Sequence, residues 1–177
     1  RLVIYELHVG TFTAAGSYDG VVERLGHLRE LGVTAVELMP LAAFAGRRGW
    51  GYDGVFHFAP FAGYGSDAAL SRLIDACHRH QLAVILDLVT NHFGPEGNAM
   101  WSMAPRFFRP DRPTAWSAGI NWDAAPVLRY FDEVVLHWIV DRGVDGIRFD
   151  AFHAIPAAHR NRHLRSMVAA LDPRLEP

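Results

Sequence analysis

Ala83-Val84-Ile85-Leu86-Asp87-Leu88-Val89-Thr90-Asn91-His92 is an apolar run that ends in polar residues. Helical patterns flank it on both sides, so it reads as a strand buried on both faces. Strands of that kind belong to parallel sheets covered by helices. Charge is expensive there, so Asp87 at the strand exit needs a partner or a task. Asp87 and Asn91 capping the following loop is one reading, with His92 an ordinary loop histidine. A polar site built at the C-terminal end of the strand is the other.

Two more strand ends bear on the choice. In Gly143-Val144-Asp145-Gly146-Ile147-Arg148-Phe149-Asp150-Ala151-Phe152-His153 an Arg precedes an Asp by two residues. Residues i and i+2 of a strand point the same way, so Arg148 and Asp150 enter one space. A guanidinium there holds the carboxylate ionised and fixes its direction, as a nucleophilic carboxylate requires. A structural ion pair has the same spacing. Thr34-Ala35-Val36-Glu37-Leu38-Met39-Pro40 is a third strand candidate, followed by Gly49-Trp50-Gly51-Tyr52-Asp53-Gly54. Glycines flanking Trp and Tyr let aromatic faces stand exposed on irregular backbone. Aromatic planes beside carboxylates and an Arg suit a sugar, which stacks its C–H face and hydrogen-bonds through its hydroxyls. The competing reading is a loop anchored by buried aromatics, which fits Trp50 or Phe56 better than Tyr52.

Outward from these ends the pattern alternates. A strand over 2–9 is followed by a helix over 18–31, with Val21, Val22, Leu25, Leu28 and Leu31 on one face and Gly32 as its cap. After the strand at 35–39, Ser66 or Asp67 caps a helix whose face is Leu70, Leu73, Ile74 and Cys77. The strand at 82–88 leads into residues 89–126, aperiodic and rich in Pro, Gly, Trp and Phe, which reads as a functional loop. A helix over 127–142 presents Leu128, Phe131, Val134, Val135, Trp138 and Ile139. A short strand at 146–149 and a helix over 157–171, with Leu164, Met167, Val168 and Leu171, complete the series. Strand–helix units in sequence predict an α/β fold with a parallel sheet and right-handed crossovers. All three polar clusters follow strand C-termini, where βα barrels and doubly wound sheets place their sites. A barrel has eight such units in typically ~250 residues, so the expected architecture is the first four βα units of a (β/α)8 barrel with a long loop after the third strand.

Composition narrows the class. The chain has 177 residues, a net charge of −2 and 50% hydrophobic content. That is one globular unit, with no electrostatic case for nucleic acid or membrane. No apolar run reaches spanning length. The single cysteine, Cys77, excludes an internal disulfide and reads as a buried thiol, consistent with a reducing compartment. No Gly-rich phosphate-binding turn follows a strand.

The pair Asp87-x-x-x-Asn91-His92 and Gly146-x-Arg148-x-Asp150 resembles two signature segments of the α-amylase-type glycoside hydrolases and transglycosidases, glycoside hydrolase family 13. The resemblance runs over essentially the whole chain, from Tyr5-Glu6-Leu7-His8-Val9-Gly10 onward. Within the family it is closest to the trehalose-releasing maltooligosyltrehalose trehalohydrolase branch, through Glu37-Leu38-Met39-Pro40, the segment Gly46 to Val55, Asn91 to Asn98 and Asp150 to Ile155. Branching enzymes share the Trp-Gly-Tyr loop and the opening.

The resemblance implies a partial catalytic barrel over 1–177, with 89–126 as a short domain B. Asp150 would be the nucleophile and Arg148 its orienting partner. Tyr52 would stack on the sugar at the cleavage point, which Asp87 and His92 would hold. Trp50 and Asp53 join the substrate contacts, and His153 faces the leaving-group sugar. Asn91 marks a calcium-ligand position in many amylases, but the trehalohydrolase-like members generally lack that ion, so neither metal nor cofactor is expected. The expected substrate is maltooligosyltrehalose or another α-1,4-glucan, cut next to a terminal trehalose. A maltooligosyltrehalose synthase is the expected pathway partner, and the cytoplasm the expected location. The family supplies the acid/base Glu from a fifth strand and a further Asp from a seventh, both outside this chain. Glu176, in a Pro-flanked tail, is not accepted as that acid. The isolated chain is therefore expected to be nearly inactive. It is also expected to expose an unpaired strand edge and an apolar inner face, and so to be marginally stable or self-associating. A branching-enzyme segment and a non-catalytic glucan-binding half-barrel are the alternatives.

Overall fold

The computed structural model of the chain describes residues 1–175; Glu176 lies outside them. In chain order the elements are β1 (Ile4–Leu7), α1 (Val9–Phe12), α2 (Tyr18–Val22), α3 (Leu25–Glu30), β2 (Ala35–Leu38), β3 (Ala42–Ala43), β4 (Phe56–Pro60), α4 (Asp67–Arg79) and β5 (Ala83–Val89). Then come α5 (Met100–Met103), β6 (Phe108–Pro113), β7 (Ala118–Ile120), α6 (Ala125–Leu136), β8 (Gly146–Asp150) and α7 (Ala157–Leu175). Four strands form a parallel sheet in the order β1-β2-β5-β8. Parallel neighbours joined through helices give the βαβ architecture that the alternating pattern predicts.

The two faces of this sheet differ in chemistry. Leu7, Val36, Leu38, Val84, Leu86 and Leu88 are buried, with Leu25, Leu28, Leu70, Leu73, Val134 and Trp138 of the helices in the same core. The opposite face carries Glu6, Glu37, Asp87, Arg148 and Asp150, because period-two alternation puts all five on one side in this register. The inner face is therefore mainly charged toward the strand ends, not apolar as expected. Among the described residues β8 pairs only with β5.

Helix ends follow their local chemistry. Ser17 caps α2 and Ser66 caps α4, each hydroxyl accepting a backbone N–H three residues on. Gly32 at φ +83° closes α3; its N–H bonds to Arg29 O and that of Val33 to Leu28 O, the paired bonds of a Schellman motif. The predicted helix over 18–31 is broken at Glu23–Arg24, where the Arg24 N–H bonds back to Val21 O and tightens the turn. Val21, Leu25 and Leu28 still share the buried face, but Leu31, at the reversal, is 60% exposed.

Other expectations are corrected. Residues 89–126 are not one irregular loop: α5 and the antiparallel β6–β7 hairpin fold over a second core containing Phe93, Phe107, Phe108, Ile120, Trp122 and Phe131. The β3–β4 hairpin also lies inside what read as loop. The helix after residue 125 ends in a π turn over His137–Asp141. On α7 the buried positions are His163 and Met167, while Leu164 and Val168 are 38% and 64% exposed. Cys77 is buried as predicted, and burial pushes its thiol up to about 12. Among the described residues no helix is long and apolar enough to cross a membrane.

Candidate active site

Arg148 lies opposite Asp87 on the neighbouring strand, and Asp150 opposite Val89. One guanidinium nitrogen, Arg148 Nη1, donates to both oxygens of Asp87 at 2.9 Å and to Asp150 Oδ1 at 2.7 Å. The strand ends thus meet in a carboxylate–guanidinium–carboxylate bridge. Asp150 Oδ2 makes no hydrogen bond among the described residues. Asp87 is 1% exposed. Burial pushes its carboxyl up, while hydrogen bonds from Arg148 and Tyr52 pull it down. Burial works against the Arg148 charge, but the two carboxylates outweigh it and raise its pKa.

The loop after β2 supplies the third partner. Tyr52 Oη donates to Asp87 Oδ2 at 2.9 Å, and burial together with this bond raises the phenol pKa. His92 Nε2 donates to the Tyr52 carbonyl at 2.9 Å, locking the loop to the end of β5. That carbonyl fixes the tautomer and leaves Nδ1 as the acceptor, buried and without a partner. Burial depresses the His92 pKa against the pull of Tyr52 O, Asp150 and Asp53.

The sequence-predicted residues separate into two groups. Asp87, Arg148, Asp150, Tyr52 and His92 come together. Asp53 is exposed and reaches the group only through its charge on His92. His153 is exposed on a 3-10 turn entered through Ala151 at φ +41°, without a hydrogen bond to the group. Trp50 and Phe56 are 73% and 52% exposed, so neither is the buried anchor that the sequence allowed. The loop is held by His92 and His8 instead.

Four contributors escaped the sequence reading. Trp116, at the tip of the β6–β7 hairpin, stacks on His92 with centroids 4.6 Å apart and planes 12° from parallel. Glu6 and Glu37 lie beside Asp87, with carboxylate oxygens of all three within 4.8 Å. Burial, then Glu6 and Asp87, raise the Glu37 pKa, and Arg148 opposes them. A lone carboxylate on each of two neighbouring strands, Glu6 opposite Glu37, was the available signal. His57 fixes the end of β5 from beneath: Nε2 donates to Val89 O at 2.9 Å and Nδ1 accepts from Tyr130 Oη at 3.0 Å. Burial pushes it down to about 4.

Asn91 is 4% exposed with both amide atoms unpartnered. It lines a cavity of about 220 Å³ with Arg109, Arg112, Asp123 and His159. Calcium takes six to eight oxygen ligands. Here the carboxylate is already engaged by Arg109 and His159 at 3.5 Å each, and guanidinium groups line the wall, so this donor set does not fit that ion.

The α-amylase catalytic-domain family matches residues 7–106. The chain belongs to the α-amylase family. A malto-oligosyltrehalose trehalohydrolase from Saccharolobus solfataricus is 48% identical over 157 residues, covering 87% of this chain and 28% of the relative. Enzymes of the same name from other organisms match at 41% to 49% identity. A 1,4-α-glucan branching enzyme GlgB from Vibrio parahaemolyticus is less similar, at 35% identity over 163 residues, 85% of this chain and 22% of that one. A crystal structure described as a putative α-amylase from Salmonella typhimurium superposes with a TM-score of 0.94 at 43% identity, covering 99% of this chain and 30% of that one. The fold is thus of the TIM-barrel glycosidase type, and the chain spans less than a third of the length of the curated relatives it matches.

Proposed function

We propose that this chain carries the nucleophile side of a retaining α-glucan hydrolase that releases trehalose from maltooligosyltrehalose. The observation that carries the reading is the Arg148 bridge between Asp87 and Asp150 at the strand ends. A binding site for a neutral sugar has no need of a carboxylate held charged and aimed by a guanidinium; a nucleophile does. The similarity to trehalohydrolases narrows the substrate.

In this reading Asp150 attacks the anomeric carbon and the bond to the leaving sugar breaks. The departing oxygen takes a proton from a carboxylic acid, and water then cleaves the glycosyl ester. Arg148 keeps Asp150 ionised. Asp87 and Tyr52 hold the sugar ring, with His92 fixing the Tyr52 loop and offering Nδ1 to a hydroxyl. Trp50, Asp53 and His153 contact more distant sugar units. The acid partner belongs to a fifth strand beyond β8, and residues 89–126 act as a short domain B over the site. Without that acid, turnover by these residues alone falls by about 10²–10⁴-fold.

The test is the protein encoded by the whole reading frame that contains this chain. Free trehalose from maltooligosyltrehalose is expected, with a fluoroglycoside trapped on Asp150 and no adduct in Asp150→Asn. New α-1,6 branches in place of trehalose would make it a branching enzyme. Glucan binding with no adduct at Asp150 would leave a non-catalytic binder.

A further inference from the structure

The cavity beside Asn91 is lined by donors that the fold does not use. It holds about 220 Å³. On one side lies the β6–β7 hairpin with Arg109 and Arg112, on the other the turn and helix after β8 with Pro156 and His159. Asn91, just beyond β5, is the buried polar residue of its wall. Neither Oδ1 nor Nδ2 of that amide has a partner among the described residues. Buried amides are normally paired, because the water they give up has to be replaced. This one offers donors at Nδ2 and an acceptor at Oδ1 to whatever enters.

The charges around it are only partly matched. Arg109 engages Asp111 through Nε and Nη2, at 2.9 and 2.7 Å. Its Nη1 has Asp123 Oδ2 at 3.5 Å, and His159 Nε2 has Asp123 Oδ1 at 3.5 Å. Charge-assisted N–H···O bonds run to about 2.7–2.9 Å, so Asp123 stands between two donors without bonding well to either. Its side chain is 57% exposed and is free to turn out into water. Arg112 belongs to no ion pair among the described residues.

Two guanidinium groups, an imidazole nitrogen and a buried amide thus line one space that contains a single, poorly bonded carboxylate. These are donors for an oxyanion rather than oxygens for a metal ion. The size agrees, since a cavity of about 150 Å³ takes a benzene ring and an oxyanion of five heavy atoms is smaller. Asn91 Oδ1 adds a condition. A buried acceptor needs a donor, and only an anion that keeps a proton supplies one. Inorganic phosphate keeps one at neutral pH. Sulfate does not, and a phosphate ester, with its second pKa at about 6, has mostly lost it. We propose that this cavity binds inorganic phosphate through Arg109 Nη1, Arg112, His159 and Asn91, with Asp123 displaced into solvent. Its occupant joins the β6–β7 hairpin to the segment that follows Asp150. The same hairpin carries Trp116 onto His92, so phosphate braces the cover of that ring.

Calorimetric titration of the protein encoded by the whole reading frame tests this at pH 7.5, with phosphate, sulfate, glucose 6-phosphate and calcium as separate ligands. Phosphate is expected to bind, to raise the melting temperature, and to bind more tightly than sulfate or glucose 6-phosphate. Arg112→Ala, at an exposed position, should weaken phosphate about tenfold, the loss of one charge-assisted bond. Asp123→Asn should tighten it about as much, because a like charge leaves the cavity. The melting temperature of each variant without ligand shows that it is folded. No phosphate binding, equal binding of sulfate or glucose 6-phosphate, or phosphate binding unchanged in both variants would overturn the proposal. Calcium binding that disappears in Asp123→Asn would show a cation site instead and overturn it as well.

Discussion

At the scale of single residues, the site turns on Arg148, which neutralises a carboxylate buried at 1% exposure while remaining itself 43% exposed in its side chain. Removing one member of a buried ion pair leaves an uncompensated charge, which costs about 3–5 kcal/mol. Solvent at Arg148 lowers the figure, so Arg148→Ala is expected to destabilise the chain by about 2–3 kcal/mol at pH 7. In that variant Asp87 escapes the penalty by taking a proton, so the deficit should shrink on acidification. Urea unfolding at pH 7 and pH 4.5 checks this, and an equal deficit at both would show that the lost packing of the side chain is responsible. The Arg148–Asp150 half of this bridge was legible in the sequence because a strand's period of two converts their spacing into a direction, whereas its reach to Asp87 depends on the register of β5 and β8. The bond from Tyr52 to Asp87 was not legible, since its donor comes from an irregular loop 35 residues away. The burial of Tyr52 against Asp87 also leaves Trp50, not Tyr52, as the fully presented ring.

Among the elements, the β6–β7 hairpin shows where sequence reading fails. β6 reads Phe108-Arg109-Pro110-Asp111-Arg112-Pro113, with two prolines and no apolar alternation. Proline is tolerated in such edge strands but erases the pattern by which strands are recognised. The hairpin forms because Phe107, Phe108 and Ile120 bury into the second core, a tertiary effect with no local signature. The sheet strands and α4 were legible because their burial is periodic. The hairpin delivers Trp116 onto His92, and burial is the leading cause of the depressed His92 pKa. Trp116→Ala should therefore raise that pKa toward its ordinary value and cost about 0.5–1.5 kcal/mol of stacking. An NMR titration of the ring reads the shift directly. An unmoved pKa would mean that the sheet and the Tyr52 loop desolvate His92 unaided.

For the molecule as a whole, the decline of stability in acid is set chiefly by the two histidines that burial depresses furthest, with His92 acting in the same sense. His57 sits against Val89 O, the Tyr130 hydroxyl, Phe93 and Phe131; His163 is enclosed by Trp122, Phe131, Phe149 and Phe152. Burial pushes each down to about 4, from an ordinary value near 6.5. The unfolded chain then binds more protons than the folded one between those limits, so stability is full above pH 6.5 and declines as the pH falls toward 4. Each histidine contributes at most roughly 3 kcal/mol to that decline. Asp87, Glu37 and Asp132 act in the opposite sense, because burial raises their pKa values and the folded state gains protons there first. The two contributions are separated at His163, whose ring nitrogens both lack a hydrogen-bond partner. Leucine fills much the same space without a proton to bind or a polar atom to satisfy, so His163→Leu is expected to gain about 1–3 kcal/mol at pH 7. It should also unfold at a urea midpoint that falls less between pH 7 and pH 4.5 than the parent's. Parallel falls in the two proteins would assign the acid sensitivity to His57 and His92. Since His57 supports the end of β5 that carries Asp87, and His92 holds the Tyr52 loop to it, that result would make the stability of the fold and the geometry of the site fail together.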